Sequence, residues 1–243
     1  MIIKKLLEAQ KFTLEVTMPQ SMEFVDAVLR GGAQALKMRC NTPHESALHN
    51  GLRIGSFQER KEFLREVVGR AGTVPVGLVP GFAEQYVTEA ERNEMEELGI
   101  DYFNTEARYA PPYMFEGTLS SVIAVTSENC SDALLRGLRL DGRVDIVEGS
   151  VVPMEQKGTR LVYDDILRYR AMTDALQKPV IATGQRLVKP EEVKYFYEAG
   201  CKGFMLGVVA FLAAQEEYDG GRTVTPEICL RVTEQFREAV EKL

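Results

Sequence analysis

The chain has 243 residues, of which 45% are hydrophobic, enough to bury a large core and close to the usual length of one α/β barrel. A formal charge of −7 with no block of basic residues excludes a nucleic-acid backbone or an anionic membrane surface as partner. No apolar run reaches the length of a membrane span, and Met1–Glu8 is a charged amphipathic start without a cleavage signal, so a soluble cytoplasmic protein is expected.

In chain order, short β-rich runs alternate with helical stretches. The strand candidates are Thr13–Met18, Ala35–Cys40, Val74–Val79, Asp101–Glu106, Ser121–Thr126, Val144–Val147, Pro179–Thr183 and Gly203–Gly207. Strands separated by helices form parallel βαβ units, and this run of strands predicts an α/β fold, a single (β/α)8 TIM barrel spanning residues 1–243. Ser56 with Glu59 and Thr88 with Glu91 have capping-box spacing, and Pro190 and Pro226 suit a first helical turn. Gly200 is placed for a left-handed C-cap after a helix over Lys189–Ala199. The run Ala110–Pro111–Pro112 leaves room only for a reduced helix after strand 4. That connection and the long polar stretch Asn41–Gly55 lie on the side where barrels carry their active sites. No repeat or linker divides the chain.

Cys40, Cys130, Cys201 and Cys229 are scattered, with no Cys-x-x-Cys pair, and read as reduced, buried thiols; Cys40, just past a strand end, would be a nucleophile only with a base beside it. His44 and His49 lack the i, i+4 spacing of two metal ligands on one helical face, so no metal is expected from them.

Alternate strand residues point into a barrel. Glu15 and Thr17 on strand 1, Lys37 and Arg39 on strand 2, Asn104 and Glu106 on strand 4, with Arg108 just beyond, and Glu148 at the end of strand 6 share the inward parity. Such a ring of carboxylates and cations can supply an acid, a base and anion-binding groups, or form a structural ion-pair network. Lys37, Glu106 and Glu148 are the catalytic candidates; Glu15, Arg39, Asn104 and Arg108 are the substrate-binding ones. Glu15, Glu106 and Glu148 would also suit Mg2+, although their spacing does not demand it, and no other cofactor is expected. Gly184, Gln185 and Arg186 after strand 7, with Gly207 and Val208 after strand 8, form a candidate phosphate site, because glycines there let backbone N–H groups approach a phosphate. The aromatic segment Tyr109–Phe115 offers either a surface for self-association or a lid.

Over roughly Gly31 to Val209 the chain resembles the ribulose-phosphate-binding barrel superfamily, and within it the N-acetylmannosamine-6-phosphate 2-epimerases. The likeness is carried by Gly31–Gly32–Ala33–Gln34–Ala35–Leu36–Lys37, Val76–Gly77–Leu78–Val79, Tyr86–Val87–Thr88 with Glu91, Leu98–Gly99–Ile100–Asp101, Asn104–Thr105–Glu106–Ala107–Arg108 with Pro111, and Pro179–Val180–Ile181–Ala182–Thr183–Gly184. Lys37 stands where that family has an arginine. Pro80 stands at the place of its catalytic lysine, Asn104 at that of an aspartate, and Thr183 at that of a glutamate near strand 7. The resemblance therefore implies a small phosphorylated sugar as ligand and a chemistry other than the family's own acid–base pair. The expectation is an isomerase- or epimerase-like enzyme, with two alternatives: an aldolase or lyase using Lys37 as a Schiff base, or a non-catalytic barrel that binds a phosphorylated ligand. A fainter likeness to type I dehydroquinate dehydratase, in Val16–Thr17–Met18–Pro19–Gln20–Ser21, falls at the wrong place in the barrel order.

Overall fold

The computed structural model describes residues 1–41, 54–83 and 85–243; His44 and His49 lie outside the described residues. Eight parallel strands close into a barrel: β1 (Thr13–Val16), β2 (Ala35–Arg39), β3 (Val76–Val79), β4 (Tyr102–Glu106), β5 (Ser120–Thr126), β6 (Ile146–Ser150), β7 (Val180–Thr183) and β8 (Gly203–Leu206). Each strand pairs with its sequence neighbours, and β8 returns to β1 with Thr13 opposite Gly203. The fold is a (β/α)8 TIM barrel. The helices are α1 (Ile2–Ala9), α2 (Met22–Arg30), α3 (Phe57–Ala71), α4 (Glu89–Leu98), α5 (Asp132–Leu140), α6 (Tyr163–Leu176), α7 (Val193–Glu198), α8 (Val208–Asp219) and α9 (Pro226–Glu241).

The two expected capping boxes are formed: Ser56 and Glu59 start α3, and Thr88 and Glu91 start α4. Between β4 and β5 only a 3-10 turn, Pro112–Phe115, is built, because successive prolines deny the segment the N–H groups of a longer helix. Its side chains pack against the outer barrel wall and the segment before α4: Phe115 meets Phe103 edge-on at 5.4 Å, and the Tyr113 hydroxyl donates to the Val87 carbonyl at 2.5 Å. The stretch after Lys189 is a 3-10 turn, Pro190–Glu192, that passes into α7. Gly200 follows it at φ +94°, in the left-handed region expected of it.

Strand β6 differs from the expectation, running to Ser150 rather than stopping at Val147. Its neighbour β5 is long enough to pair Ala124 with Glu148 and Thr126 with Ser150, so the ladder continues upward. Glu148 and Ser150 are therefore held in sheet rather than in loop.

The strand alternation sorts the apolar residues into two cores. Outward residues such as Leu14, Leu36, Leu78, Phe103, Ile123, Val147 and Phe204 pack under the helices. Inward residues Ala35, Tyr102, Val122, Ile146, Ile181 and Met205 fill the lower lumen together with Ile3 and Leu7 of α1. Helix α1 thus closes the end of the barrel where the strands begin. The carboxylate of Asp101, just before β4, fixes it there by accepting from the N–H groups of Ile2 and Ile3 at 2.6 and 2.7 Å. Lys4 adds a contact to Asp145 at 3.0 Å. The lumen holds the Tyr102 ring only because its partner on β3 is Gly77: a Cβ there would lie 2.0 Å from the ring.

Candidate active site

At the carboxyl ends of the strands the barrel opens into a cavity of about 500 Å³. Its floor is a polar cluster supplied by β2, β4 and β6. The Lys37 Nζ contacts Glu148 Oε2, with the two side chains only 2% and 5% exposed. Asn104 Nδ2 donates to the same Glu148 oxygen at 3.0 Å. Ser150 stands 3.5 Å from the other oxygen and 3.0 Å from the Thr183 hydroxyl. A buried ion pair of this kind is tolerated only when its members are mutually satisfied, and the Asn104 amide completes that requirement here.

Glu15 lies below this floor, fully buried, beside the Tyr102 hydroxyl. Burial drives its carboxyl upward, to about 7, against the opposing pull of Lys37; Glu148 pushes it further up, while Tyr102 and Arg39 pull it down. Glu15 does not line the cavity, whereas Thr17, two residues further along β1, does.

Glu106, Arg39 and Arg108 stand at the cavity wall and rim. Glu106 is not the carboxylate that Lys37 meets. It binds Arg108 at 2.8 Å and accepts from Asn129 Nδ2 at 3.0 Å. Arg108 also reaches Glu128 at 3.6 Å and covers the Tyr109 ring at 4.8 Å. Tyr109 in turn packs on Phe82, with ring centroids 4.4 Å apart. The backbone N–H of Arg39 is held by Gln20 Oε1 at 2.9 Å.

The five residues expected at a phosphate divide into two groups. Gly184, Gln185, Gly207 and Val208 line the cavity, and Arg186 does not. Gly207 is the N-cap of α8, and no side chain caps that helix, so its first N–H groups face the cavity end where Val208 and Val209 lie. The Gly184 N–H is already given to the Met205 carbonyl at 2.9 Å, and a Cβ at Gly184 would stand 2.9 Å from that same oxygen, so close packing accounts for the glycine. Gln185 clasps Val152, accepting from its N–H at 3.0 Å and donating to its carbonyl at 3.3 Å. Arg186 points away from the cavity. Its guanidinium binds both oxygens of buried Asp165 at 2.8 and 2.9 Å, the Gln156 carbonyl and side chain, and the Thr159 hydroxyl, leaving no N–H for a ligand. It is the lock of the loop that follows β6.

That loop supplies a cation the sequence analysis did not single out. Lys157 lines the cavity, and the next residue, Gly158, donates its N–H to the Gln185 carbonyl at 2.9 Å, which places Lys157 beside the end of β7. Ser150 was also unmarked, its inward parity at a strand end being the available signal; it meets Thr183, which the resemblance had set at the place of a glutamate. Cys40, Cys201 and Cys229 are buried as expected, whereas Cys130 is exposed, in the turn that follows β5. Burial raises the thiols of Cys40 and Cys229 and brings Cys201 up to about 12, so none of these three is an activated nucleophile. Among the described residues, no group of three or more His, Cys, Asp or Glu side chains is arranged to hold a metal ion, and no helix is long and apolar enough to cross a membrane.

No protein-family model matches the sequence, and no curated protein matches it. Solved structures do. Thiamine phosphate pyrophosphorylase from Pyrococcus furiosus superposes with a TM-score of 0.60 at 16% identity, covering 96% of this chain and 97% of that one. A mutant tryptophan synthase α-subunit from Pyrococcus furiosus gives 0.68 at 15% identity, with 94% of this chain and 98% of that one covered. A protein described as native KDPGal gives 0.59 at 15% identity, with 94% of each chain covered. At these identities the likeness is one of fold.

Proposed function

We propose that this protein is an enzyme acting on a small phosphorylated carbonyl compound of sugar type, which it isomerises or epimerises through an enolate-like intermediate. The observation that carries the reading is the buried contact of Lys37 with Glu148 on the cavity floor. Proton removal beside a carbonyl needs a base for the carbon-bound proton and a positive group for the oxygen that gains charge. Glu148 and Lys37 are those two groups, and Asn104 fixes the carboxylate between them. Ser150 and Thr183, joined at 3.0 Å, offer hydroxyls to the substrate's own hydroxyl groups. The phosphate would sit at the other end of the cavity, on the uncapped start of α8, with Lys157 as its cation. The name of one structural neighbour, thiamine phosphate pyrophosphorylase, agrees with a phosphorylated ligand.

A second reading, aldol-type cleavage through an imine, is favoured by the desolvation of Lys37. A buried lysine touching a carboxylate can pass its proton to that carboxylate; the free amine then attacks the carbonyl carbon and water leaves as the imine forms. Fold cannot choose between the two.

The deciding experiment is a thermal-shift screen against sugar phosphates, their unphosphorylated counterparts and inorganic phosphate, followed by turnover and borohydride trapping with the stabilising compounds. Stabilisation by a phosphorylated sugar that Lys157→Ala weakens, with turnover that Lys37→Met abolishes, supports the proposal. A borohydride-fixed adduct on Lys37 moves the reading to the imine. If no phosphorylated sugar stabilises the protein, the proposal fails.

A further inference from the structure

The hydroxyl of Tyr102 has one proton and two acceptors within bonding distance. Glu15 Oε1 is 2.5 Å away and the Leu36 carbonyl oxygen is 2.8 Å away. A single O–H cannot donate fully to both. The conflict disappears when the carboxyl is neutral: Glu15 donates its own proton to the tyrosine oxygen, and Tyr102 donates to Leu36. The second carboxyl oxygen, Glu15 Oε2, is buried with no hydrogen-bond partner, a poor situation for an ion and a tolerable one for a neutral acid.

We propose that Glu15 keeps its proton up to the neutral range and thereby spares the Lys37–Glu148 pair a second buried negative charge, so that Lys37 can release its own proton during reaction. The charged or titratable groups facing Glu15 are Lys37 and Arg39 from β2, Tyr102 from β4 and Glu148 from β6. Helix α1 and strands β5, β7 and β8 contribute apolar Leu7, Val122, Ile181 and Met205 to the same lumen. The upward displacement of the Glu15 carboxyl, to about 7, agrees with this arrangement. Once Glu15 ionises, two carboxylates act on one lysine and hold its proton more firmly. Glu15 does not line the cavity, so its role is that of a positioning residue acting through Lys37.

The consequence for Lys37 rests on the carbonyl chemistry proposed above, whereas the protonation itself stands on the lumen geometry and needs no substrate. The test is therefore an infrared titration of the intact protein in the carboxylic-acid C=O region. A neutral-acid band present at pH 6 should vanish in Glu15→Gln, shift in frequency in Tyr102→Phe, and disappear as the pH rises through about 7 to 8. A band that survives Glu15→Gln and is lost in Glu148→Gln would overturn the proposal, as would no neutral-acid band at all. Should Glu15→Gln not fold, the Tyr102→Phe shift alone decides.

The effect on Lys37 is read by reductive methylation with formaldehyde and cyanoborohydride, followed by peptide mass spectrometry. Glu15→Gln should methylate at Lys37 severalfold faster than the parent above pH 7 and equally below pH 6. Equal labelling across that range, or none in either protein, would remove the coupling while leaving the turnover assay above to judge the reaction separately.

Discussion

Lys37 on β2 and Glu148 on β6 stand on opposite sides of the barrel, four strands apart in either direction round the ring, and their side chains meet across the lumen. A pair so buried stabilises only as a pair. Lys37→Met alone should cost about 3–5 kcal/mol by stranding the carboxylate, while Lys37→Met with Glu148→Leu should recover most of that loss. Urea denaturation of the two singles and the double gives the coupling energy directly, and additive losses would contradict the contact.

Asn104 contributes a donor rather than bulk to that cluster, through its 3.0 Å bond to Glu148. Asn104→Leu should destabilise by about 1–2 kcal/mol through the lost donor to a buried carboxylate. Asn104→Asp should do more harm, since it sets a second carboxylate against Glu148. The order, Leu milder than Asp at pH 8 and the gap narrowing at pH 5, is checked by melting temperatures at both pH values.

The Glu15 carboxyl, raised to about 7 by burial, makes a pH-dependent contribution to stability. The native state holds this proton more tightly than the unfolded chain, so the stabilisation is complete below the usual glutamate range near 4.5 and is lost as the pH rises to about 7. Relative to Glu15→Gln, the parent should therefore lose up to ~3 kcal/mol between pH 4.5 and 8. Parallel stability curves for the two proteins would sink this expectation.

Arg186 and Lys157 should separate cleanly. Arg186→Gln removes the partner of buried Asp165 and should cost about 3–5 kcal/mol, with faster proteolysis in the loop between β6 and α6. Lys157→Ala should leave the melting temperature of the free protein unchanged and weaken binding of a stabilising sugar phosphate roughly tenfold, equivalent to about 1.4 kcal/mol. Titration calorimetry beside limited proteolysis distinguishes these outcomes.

The barrel was legible because its strands carry a local signal: apolar runs with period two, separated by capped helices whose boxes at Ser56 and Thr88 formed as their spacing required. Parity likewise placed Lys37 and Glu148 inside. It could not say that they touch, because 111 positions separate them and only closure of the ring brings them together. Nor could parity tell the fates of long side chains near strand ends. Glu106 turns to Arg108 and Asn129, and Arg186 turns outward, each captured by a partner on a loop or helix that no strand pattern predicts. Lys157 went unmarked for a similar reason, since its place at the cavity depends on a backbone bond from Gly158 to Gln185.

Helix α1, with Ile3 and Leu7 seated in the lumen, makes the barrel a cul-de-sac. Among the described residues, the opening that leads to Lys37 lies at the other end, beside the Phe82–Tyr109 pair, and it serves for both entry and exit. Traffic is then one-way-at-a-time: under the proposed reaction a departing product would block the next arrival, so product inhibition should be competitive with substrate, and an occupant too large to turn around can exit only by backing out.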